Sequence, residues 1–172
     1  MTNYLLVDGY NIIHANAALA SVASDSLDAA RKKLCDALCE FRALSHYRVI
    51  VVFDAHLVSG GIGSVESYRG IKVIFTKEAE TADHYIEKAT YKLAKKNDRI
   101  RVATSDTLEQ LIILAAGASR VSAADLWTEM ETTRAAAISI HKKTRPIKKN
   151  PIEDLVDAET ARILESMRYG VL

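Results

Sequence analysis

The sequence predicts an α/β fold in which a mostly parallel central sheet carries helices on both faces. Four short apolar runs indicate strands, and helical patterns separate most of them. The first two runs are continuously apolar, which is typical of strands that are buried on both faces. The chain has 172 residues, which is enough for one domain with a full-sized core.

The predicted strands lie at residues 4–7, 49–53, 71–75 and 100–103, and a short fifth strand is expected around residues 120–121. The helix between the first two strands is predicted by an apolar stripe that repeats every three or four residues. The members of that stripe are Leu27, Ala30, Leu34, Leu38 and Phe41.

Three further helices are predicted from their first turns. Thr81 can cap a helix after the third strand, and Asp106 or Thr107 can cap one after the fourth. Ser122 and Asp125 form a capping-box pattern that opens a helix through roughly residue 140. Strands that alternate with helices favour right-handed parallel crossovers.

The segment between the second and third strands differs from the others. Residues 57–70 are rich in glycine and serine and show no clear period, so we expect a mobile loop. The loop leaves the carboxyl end of the second strand. It is either a lid or substrate-binding loop, or a plain surface loop.

The C-terminal part of the chain has a distinct composition. A basic cluster at residues 142–149 contains a helix-breaking proline, and Asn150 and Pro151 then favour a new helix start. We expect residues 1–143 to form one domain. Residues 144–172 are expected to form a basic segment and a C-terminal helix that docks on that domain.

Bulk properties exclude several classes of protein. The net charge is +1, so only the local distribution of charge can indicate nucleic-acid binding. Cys35 and Cys39 have no second Cys/His pair at zinc-finger spacing, which favours two reduced thiols in a cytoplasmic protein. No signal peptide is visible, and no apolar run approaches the roughly 20 residues that span a membrane.

Four acids occupy positions that point to a shared site. Asp8, Asp54 and Asp106 each follow a predicted strand, and Asp83 lies in the first turn of a predicted helix. The carboxyl ends of parallel strands meet at one edge, where ligands bind. Asp83 shares the stripe of Ile86, so it is expected to face the sheet. Gathered carboxylates repel one another, and a bound cation is the natural reason to bring them together.

Each acid also has an ordinary structural explanation. Asp8 and Asp54 could be turn residues, Asp106 could be only a helix cap, and Asp83 could serve the helix dipole. Asn11 is placed to hydrogen-bond either Asp8 or a ligand.

Four motifs together resemble the YacP-like NYN domain family, which belongs to the PIN-like nucleases. They lie at residues 6–11, 51–56, 75–83 and 103–106, and their order and spacing are specific. The resemblance implies a three-layer fold with strand order 3-2-1-4-5. It implies a metal site of Asp8, Asp83 and Asp106, with Asp54 nearby and Asn11 as a polar helper. It also implies cleavage of messenger RNA at the ribosome, the partner of bacterial family members.

Phosphodiester hydrolysis needs an activated water and neutralisation of charge on phosphate oxygens. Mg²⁺ or Mn²⁺ held by carboxylates supplies both. We therefore expect Asp8, Asn11, Asp54, Asp83 and Asp106 to form the catalytic site. Since acids repel RNA, basic side chains must flank them. The candidates are Arg69, Lys72, Lys77, Lys142, Lys143, Arg145, Lys148 and Lys149.

Other functions fit parts of the pattern. A phosphoryl-accepting receiver domain also has acids after strands, but Asp8 precedes Gly9 where an acidic pair would be needed. A haloacid-dehalogenase-type phosphatase would need a second aspartate at the position of Tyr10. A non-catalytic RNA- or ribosome-binding module is the remaining alternative, although a binder of polyanions gains nothing from four acids.

Overall fold

Six strands form one sheet in the part of the chain that the computed structural model describes, which is residues 1–54, 63–94, 98–105 and 117–144. The side chains of residues 141–144 are not described. The strands are β1 (Asn3–Asp8), β2 (Tyr47–Phe53), β3 (Ser64–Tyr68), β4 (Ile71–Phe75), β5 (Arg99–Ala103) and β6 (Ser119–Val121). The helices of the same ranges are α1 (Gly9–Ala15), α2 (Ala17–Asp25), α3 (Leu27–Leu44), α4 (Ala82–Ala94) and α5 (Ala123–Thr144).

The strand order across the sheet is β3-β4-β2-β1-β5-β6. All neighbours are parallel except the β3–β4 pair. Leaving β3 aside, the order matches the predicted 3-2-1-4-5 arrangement, and the predicted fold class is confirmed. β1 lies in the middle, so Asp8 at its carboxyl end has β2 on one side and β5 on the other.

The expectation of a mobile loop at residues 57–70 is wrong for its second half. β3 occupies Ser64–Tyr68 and pairs with β4 through a two-residue turn at Arg69 and Gly70. Both turn residues have positive φ, 45° and 92°, as tight hairpins with right-handed twist require. β3 is an exposed edge strand, so it lacks the buried apolar side chains that predict strands from sequence. Residues 55–62 lie outside the described residues.

Helices cover both faces of the sheet, as predicted. Buried residues of α1, α2, α3 and α5 form one core cluster with one face of the strands. Ala82 and Ile86 of α4 form a second cluster with Leu6 and Val52 on the opposite face. The predicted stripe of α3 is buried except for the half-buried Leu27.

The helix α5 begins where the sequence predicted. The Ser122 Oγ accepts a hydrogen bond from the backbone N–H of Asp125 at 3.1 Å and donates one to the Asp125 carboxylate at 2.6 Å, so Ser122 caps the helix as predicted. The helix continues to Thr144 instead of ending near residue 140. It is tied to the sheet by Arg101 of β5, whose guanidinium donates two hydrogen bonds to the Glu129 carboxylate at 2.9 and 3.0 Å.

The short helices α1 and α2 were not predicted. They lie between Asp8 and Leu27, where the apolar pattern is brief, and Asn16 both ends α1 and caps α2. The helix predicted after the fourth strand, with its possible caps at Asp106 and Thr107, lies outside the described residues.

The chain divides into two compact units, Met1–Ala137 and Ile138–Leu172. The second unit is described only as far as Thr144, so the predicted boundary at residue 143 and the docked C-terminal helix stay predictions. Cys35 and Cys39 are free and buried, as expected. The described helices include none with the length and apolar character needed to cross a membrane.

Candidate active site

The carboxyl ends of β1 and β2 place two of the predicted site residues, Asp8 and Asp54, at one edge of the sheet. Asp8 is the last residue of β1 and pairs in register with Val52, two residues before Asp54. Ala103 ends β5 opposite Val7, and Thr104 and Ser105 continue the chain from there. The sheet therefore assembles the edge that the sequence predicted.

Asp8 is buried and also caps α1. Its Oδ1 accepts a hydrogen bond from the backbone N–H of Asn11 at 3.0 Å, which satisfies one of the free donors of the first helical turn. Burial raises the pKa of Asp8 to about 6, and the Asn11 N–H opposes that change. The charge and hydrogen bonding of the Asp83 carboxyl raise it further. The structure thus brings Asp8 and Asp83 together.

The prediction that Asp83 is shielded from solvent is wrong, because Asp83 is exposed in the first turn of α4. Its carboxyl nevertheless lies close to Asp8 at the end of β1. The capping residue Thr81 accepts a hydrogen bond from the N–H of His84 at 3.2 Å, which confirms the predicted helix start. Ala82, Ile86 and Thr90 of the same helix are buried, so α4 packs on the sheet from its first residue while the Asp83 side chain is exposed.

Asn11 connects two strand ends instead of contacting Asp8 with its side chain. Its Oδ1 accepts a hydrogen bond from the backbone N–H of Ser105 at 2.8 Å, across 94 residues of sequence. The bond holds the backbone at Ser105, one residue before Asp106 in the sequence. No pattern in the sequence indicated this pairing.

Of the two remaining predicted acids, the structure describes only Asp54. Asp54 is half-buried at the end of β2 and has an interaction partner. Asp106 lies outside the described residues. Within the described ranges, no three His, Cys, Asp or Glu side chains lie close enough to hold a metal ion. Asp8 and Asp83 offer carboxylate oxygens, the donors that hard divalent cations prefer, so they fit two parts of the predicted triad.

The predicted RNA-binding residues are spread over the molecule. Lys77 follows β4 at the acidic edge, with its side chain beside Gly63. Arg69 and Lys72 lie at the amino end of β4, about 10 Å of strand away from that edge. Arg69 is also paired with Asp36 at 3.2 Å. They are therefore not beside the acids as the sequence suggested.

The structure does not describe the side chains of the basic cluster near the C-terminus. Lys142 and Lys143 belong to the end of α5, but their side chains are not described, and Arg145, Lys148 and Lys149 lie outside the described residues. Their contact with RNA stays a prediction.

An aromatic row supports the acidic edge and was not predicted. The rings of Tyr10 and Phe53 meet edge to face at 5.2 Å, and Phe53 stacks on Phe75 at 5.6 Å. Arg31 lies 5.8 Å from the Phe75 ring centre and donates a hydrogen bond to the Tyr10 hydroxyl at 2.6 Å. Gly9 has no side chain because a Cβ there would come within 2.2 Å of the Phe53 ring.

The comparisons with known proteins agree with this geometry. The family model of the YacP-like NYN domain matches residues 5–169. The chain belongs to the YacP-like NYN domain family. Its fold is accordingly the PIN-like nuclease fold, which leaves no support for the receiver and phosphatase alternatives.

Relatives of this YacP-like chain are found in Bacillus subtilis. The uncharacterized protein YacP of strain 168 is 46% identical over 128 residues, which is 74% of this chain and 75% of that protein. The crystal structure of Rae1 (YacP) is similar with a TM-score of 0.70 and 39% identity, covering 97% of this chain and 95% of that one. A mutant of the same protein gives a TM-score of 0.72 and 40% identity, with 86% and 87% covered.

Proposed function

We propose that this protein is a metal-dependent endoribonuclease that cleaves messenger RNA in association with the ribosome, in the cytoplasm. The observation that carries the proposal is the pair of Asp8 and Asp83, a buried carboxyl and an exposed one within hydrogen-bonding reach at the ligand edge of the sheet. The PIN-like nuclease fold of the family supports it. The ribosome is proposed as a partner because of the family resemblance, and not because of a contact observed in this chain.

The pair explains why a cation would be held here. Burial raises the pKa of Asp8, and the nearby Asp83 carboxyl raises it further, so two ionised carboxylates at this place are unfavourable without a cation. We propose that Asp8, Asp83 and Asp106 hold Mg²⁺ or Mn²⁺, with Asp54 extending the site. When bound, such an ion supplies an activated water and neutralises charge that develops on the phosphate.

The other residues of the edge would act on the substrate. The Asn11 side chain holds the backbone of Ser105, so the segment that leads to Asp106 is fixed relative to Asp8. Lys77 is exposed at the same edge, where its ammonium can pair with a phosphate oxygen of the RNA and offset repulsion by the acids.

The experiment is cleavage of a messenger RNA in a translating extract with Mg²⁺ or Mn²⁺, beside the same RNA without ribosomes. The Asp8→Asn protein is the test variant, since asparagine keeps the helix cap but removes the charge. Asp25→Asn, at an exposed aspartate at the end of α2, is the matched control.

Cleavage by the wild type and the Asp25→Asn control, but not by Asp8→Asn, is the expected result. Cleavage only in the translating extract would support the ribosome as the partner. If the folded wild type cleaves neither RNA, or if Asp8→Asn is fully active, the nuclease proposal is wrong. A folded, inactive protein that sediments with ribosomes would then indicate the non-catalytic binding module.

A further inference from the structure

A cavity of about 660 Å³ opens at the amino ends of the strands, at the edge opposite to Asp8 and Asp83. The end of α3, the first half of β2 and the starts of β1 and β4 line it. Its volume is within the range of pockets that hold small ligands. None of the residues of the proposed metal site lines this cavity.

Positively charged side chains line the cavity. Arg42, Arg48 and Lys72 contribute permanent cations, and His46 adds an imidazole. The described lining includes no acidic side chain. Within the described part of the chain, none of the three cations forms an ion pair, whereas Arg69, Arg101 and Arg134 each have an acidic partner.

The three cations come from different elements and converge at the cavity. Arg48 lies in register with Tyr4, and Lys72 with Ile50, so Arg48 and Lys72 stand on the same face of neighbouring strands. Such strands are about 4.8 Å apart. Arg42 reaches the cavity from the end of α3, with its Cζ 3.0 Å from where a Cβ on Gly70 would lie. The missing side chain of Gly70 therefore leaves the space that this guanidinium uses.

Three unpaired cations around one cavity repel each other, so their arrangement is best explained by an anionic ligand with several oxygens. Phosphate groups fit, because guanidinium groups bind them through paired hydrogen bonds. The half-buried ring of Tyr4 adds an aromatic wall of the kind on which bases stack.

We propose that this cavity binds the phosphate backbone of single-stranded RNA and anchors the substrate away from the site of cleavage. The inference rests on the proposed RNA-directed function. The acidic edge repels a polyanion, so affinity has to come from elsewhere on the surface, and this cavity is the place where the described cations gather without partners. A free nucleotide would present the same phosphate chemistry, so the experiment separates the two.

The test measures binding without cleavage. A 20-nucleotide oligouridine with a 5′ fluorescent label is titrated with the full chain in EDTA, and anisotropy is followed at several salt concentrations. The test variant carries Arg48→Gln and Lys72→Gln, and the matched control carries Lys32→Gln and Lys33→Gln, two exposed lysines of α3. Arg42→Gln is a third variant, at another exposed residue, and circular dichroism verifies that each protein is folded.

We expect the test variant to bind about tenfold more weakly, with a salt slope that is smaller by roughly 0.7 for each phosphate that the variant no longer neutralises. Arg42→Gln should weaken binding in the same direction, and the control should match the wild type. Equal binding by the test variant, Arg42→Gln and the control would overturn the proposal. If labelled ADP binds to the wild type and loses affinity in the test variant while RNA binding is unchanged, the cavity is a nucleotide pocket and the RNA proposal is wrong.

The two proposals can fail separately. Because the assay contains no free metal, its outcome does not depend on hydrolysis. A protein that binds RNA through the cavity but never cleaves it contradicts only the nuclease proposal. A protein that cleaves RNA but binds it equally in all variants contradicts only the anchoring site.

Discussion

Two features of Asp8 have opposite effects on its pKa. As a cap it stabilises the first turn of α1, which favours an ionised carboxylate. Its burial and its closeness to Asp83 favour the protonated form, and that effect is larger, since the pKa is raised to about 6. A carboxyl whose pKa is raised in this way at the ligand edge of a sheet is typical of a functional site.

The first prediction concerns the stability of Asp8→Asn. A pKa raised from 3.8 to about 6 means that ionised Asp8 costs about 3 kcal/mol of folding free energy above pH 6. Stability from this group is fully present below pH 3.8 and is lost as the pH rises through 6. In EDTA at pH 8, Asp8→Asn should therefore be more stable than the wild type by up to about 3 kcal/mol. Urea denaturation at pH 8 and pH 4.5 measures this.

The gain in unfolding free energy of Asp8→Asn over the wild type should be much smaller at pH 4.5. At that pH the Asp8 carboxyl of the folded wild type is protonated and uncharged. The exposed Asp25→Asn should stay within about 0.5 kcal/mol of the wild type at both pH values. A destabilised Asp8→Asn at pH 8 would show that the cap outweighs the burial of the charge.

The second prediction concerns Asp83. Because Asp83 is exposed, Asp83→Asn should fold normally, and its loss should lower the pKa of Asp8. RNA cleavage should fall by more than about 100-fold, since even the partners of metal ligands contribute about 10–100-fold. Cleavage rates in Mg²⁺ and in Mn²⁺ measure this. Glu87→Gln, one turn further along α4, is the matched control, and full activity of Asp83→Asn would remove Asp83 from the metal site.

At the scale of elements, the site depends on how α1 is joined to β5. The Asn11 side chain holds the N–H of Ser105, while the Asn11 N–H itself belongs to the cap made by Asp8. One residue therefore couples the ends of two neighbouring strands. The glycine-to-ring contact between Gly9 and Phe53 brings the start of α1 close to the end of β2 in the same way.

The third prediction separates this coupling from ordinary stability. Asn11→Ala removes one hydrogen bond to a backbone N–H and should cost about 1 kcal/mol of unfolding free energy. Asn16→Ala removes a similar bond, from the Leu19 N–H to Asn16 Oδ1 at 3.0 Å, at the cap of α2. Both should show similar thermal shifts, but only Asn11→Ala should lower cleavage. Equal activity in the two variants would make the Asn11 bond purely structural.

At the scale of the molecule, the Asp8–Asp83 pair and the cavity lined by Arg42, Arg48 and Lys72 lie at opposite edges of the sheet, although the net charge is only +1. Such a distribution lets a nearly neutral protein bind a polyanion in one place and hold a cation in another.

The fourth prediction concerns the basic cluster of residues 142–149. If its five Lys and Arg side chains contact phosphates, replacing them by glutamine should reduce the salt slope of RNA binding by roughly 0.7 for each phosphate involved. Anisotropy titrations between about 50 and 200 mM salt measure the slope, with the Lys32→Gln and Lys33→Gln protein as control. An unchanged slope would assign the cluster to a solvated linker or to contacts that exist only on the ribosome.

The sequence by itself determined the central strands β1 and β2, because parallel strands buried on both faces require continuous apolar runs. It also determined the carboxyl edge, since residues that follow such strands must emerge together, and Asp8 and Asp54 do. The caps of α4 and α5 were predictable because Thr81 and Ser122 act through neighbours three residues away.

Only the tertiary structure decided what depends on residues far apart in the chain. The bond from Ser105 to Asn11 spans 94 residues and follows no local period. β3 forms because β4 offers an open edge, so its own exposed side chains carry no strand signal. The exposure of Asp83 and the place of Lys72 at the opposite edge depend on how α4 and β4 pack in the folded chain. Local periodicity specifies the face of a helix or strand on which a side chain lies. Only tertiary packing specifies which other residues that side chain contacts.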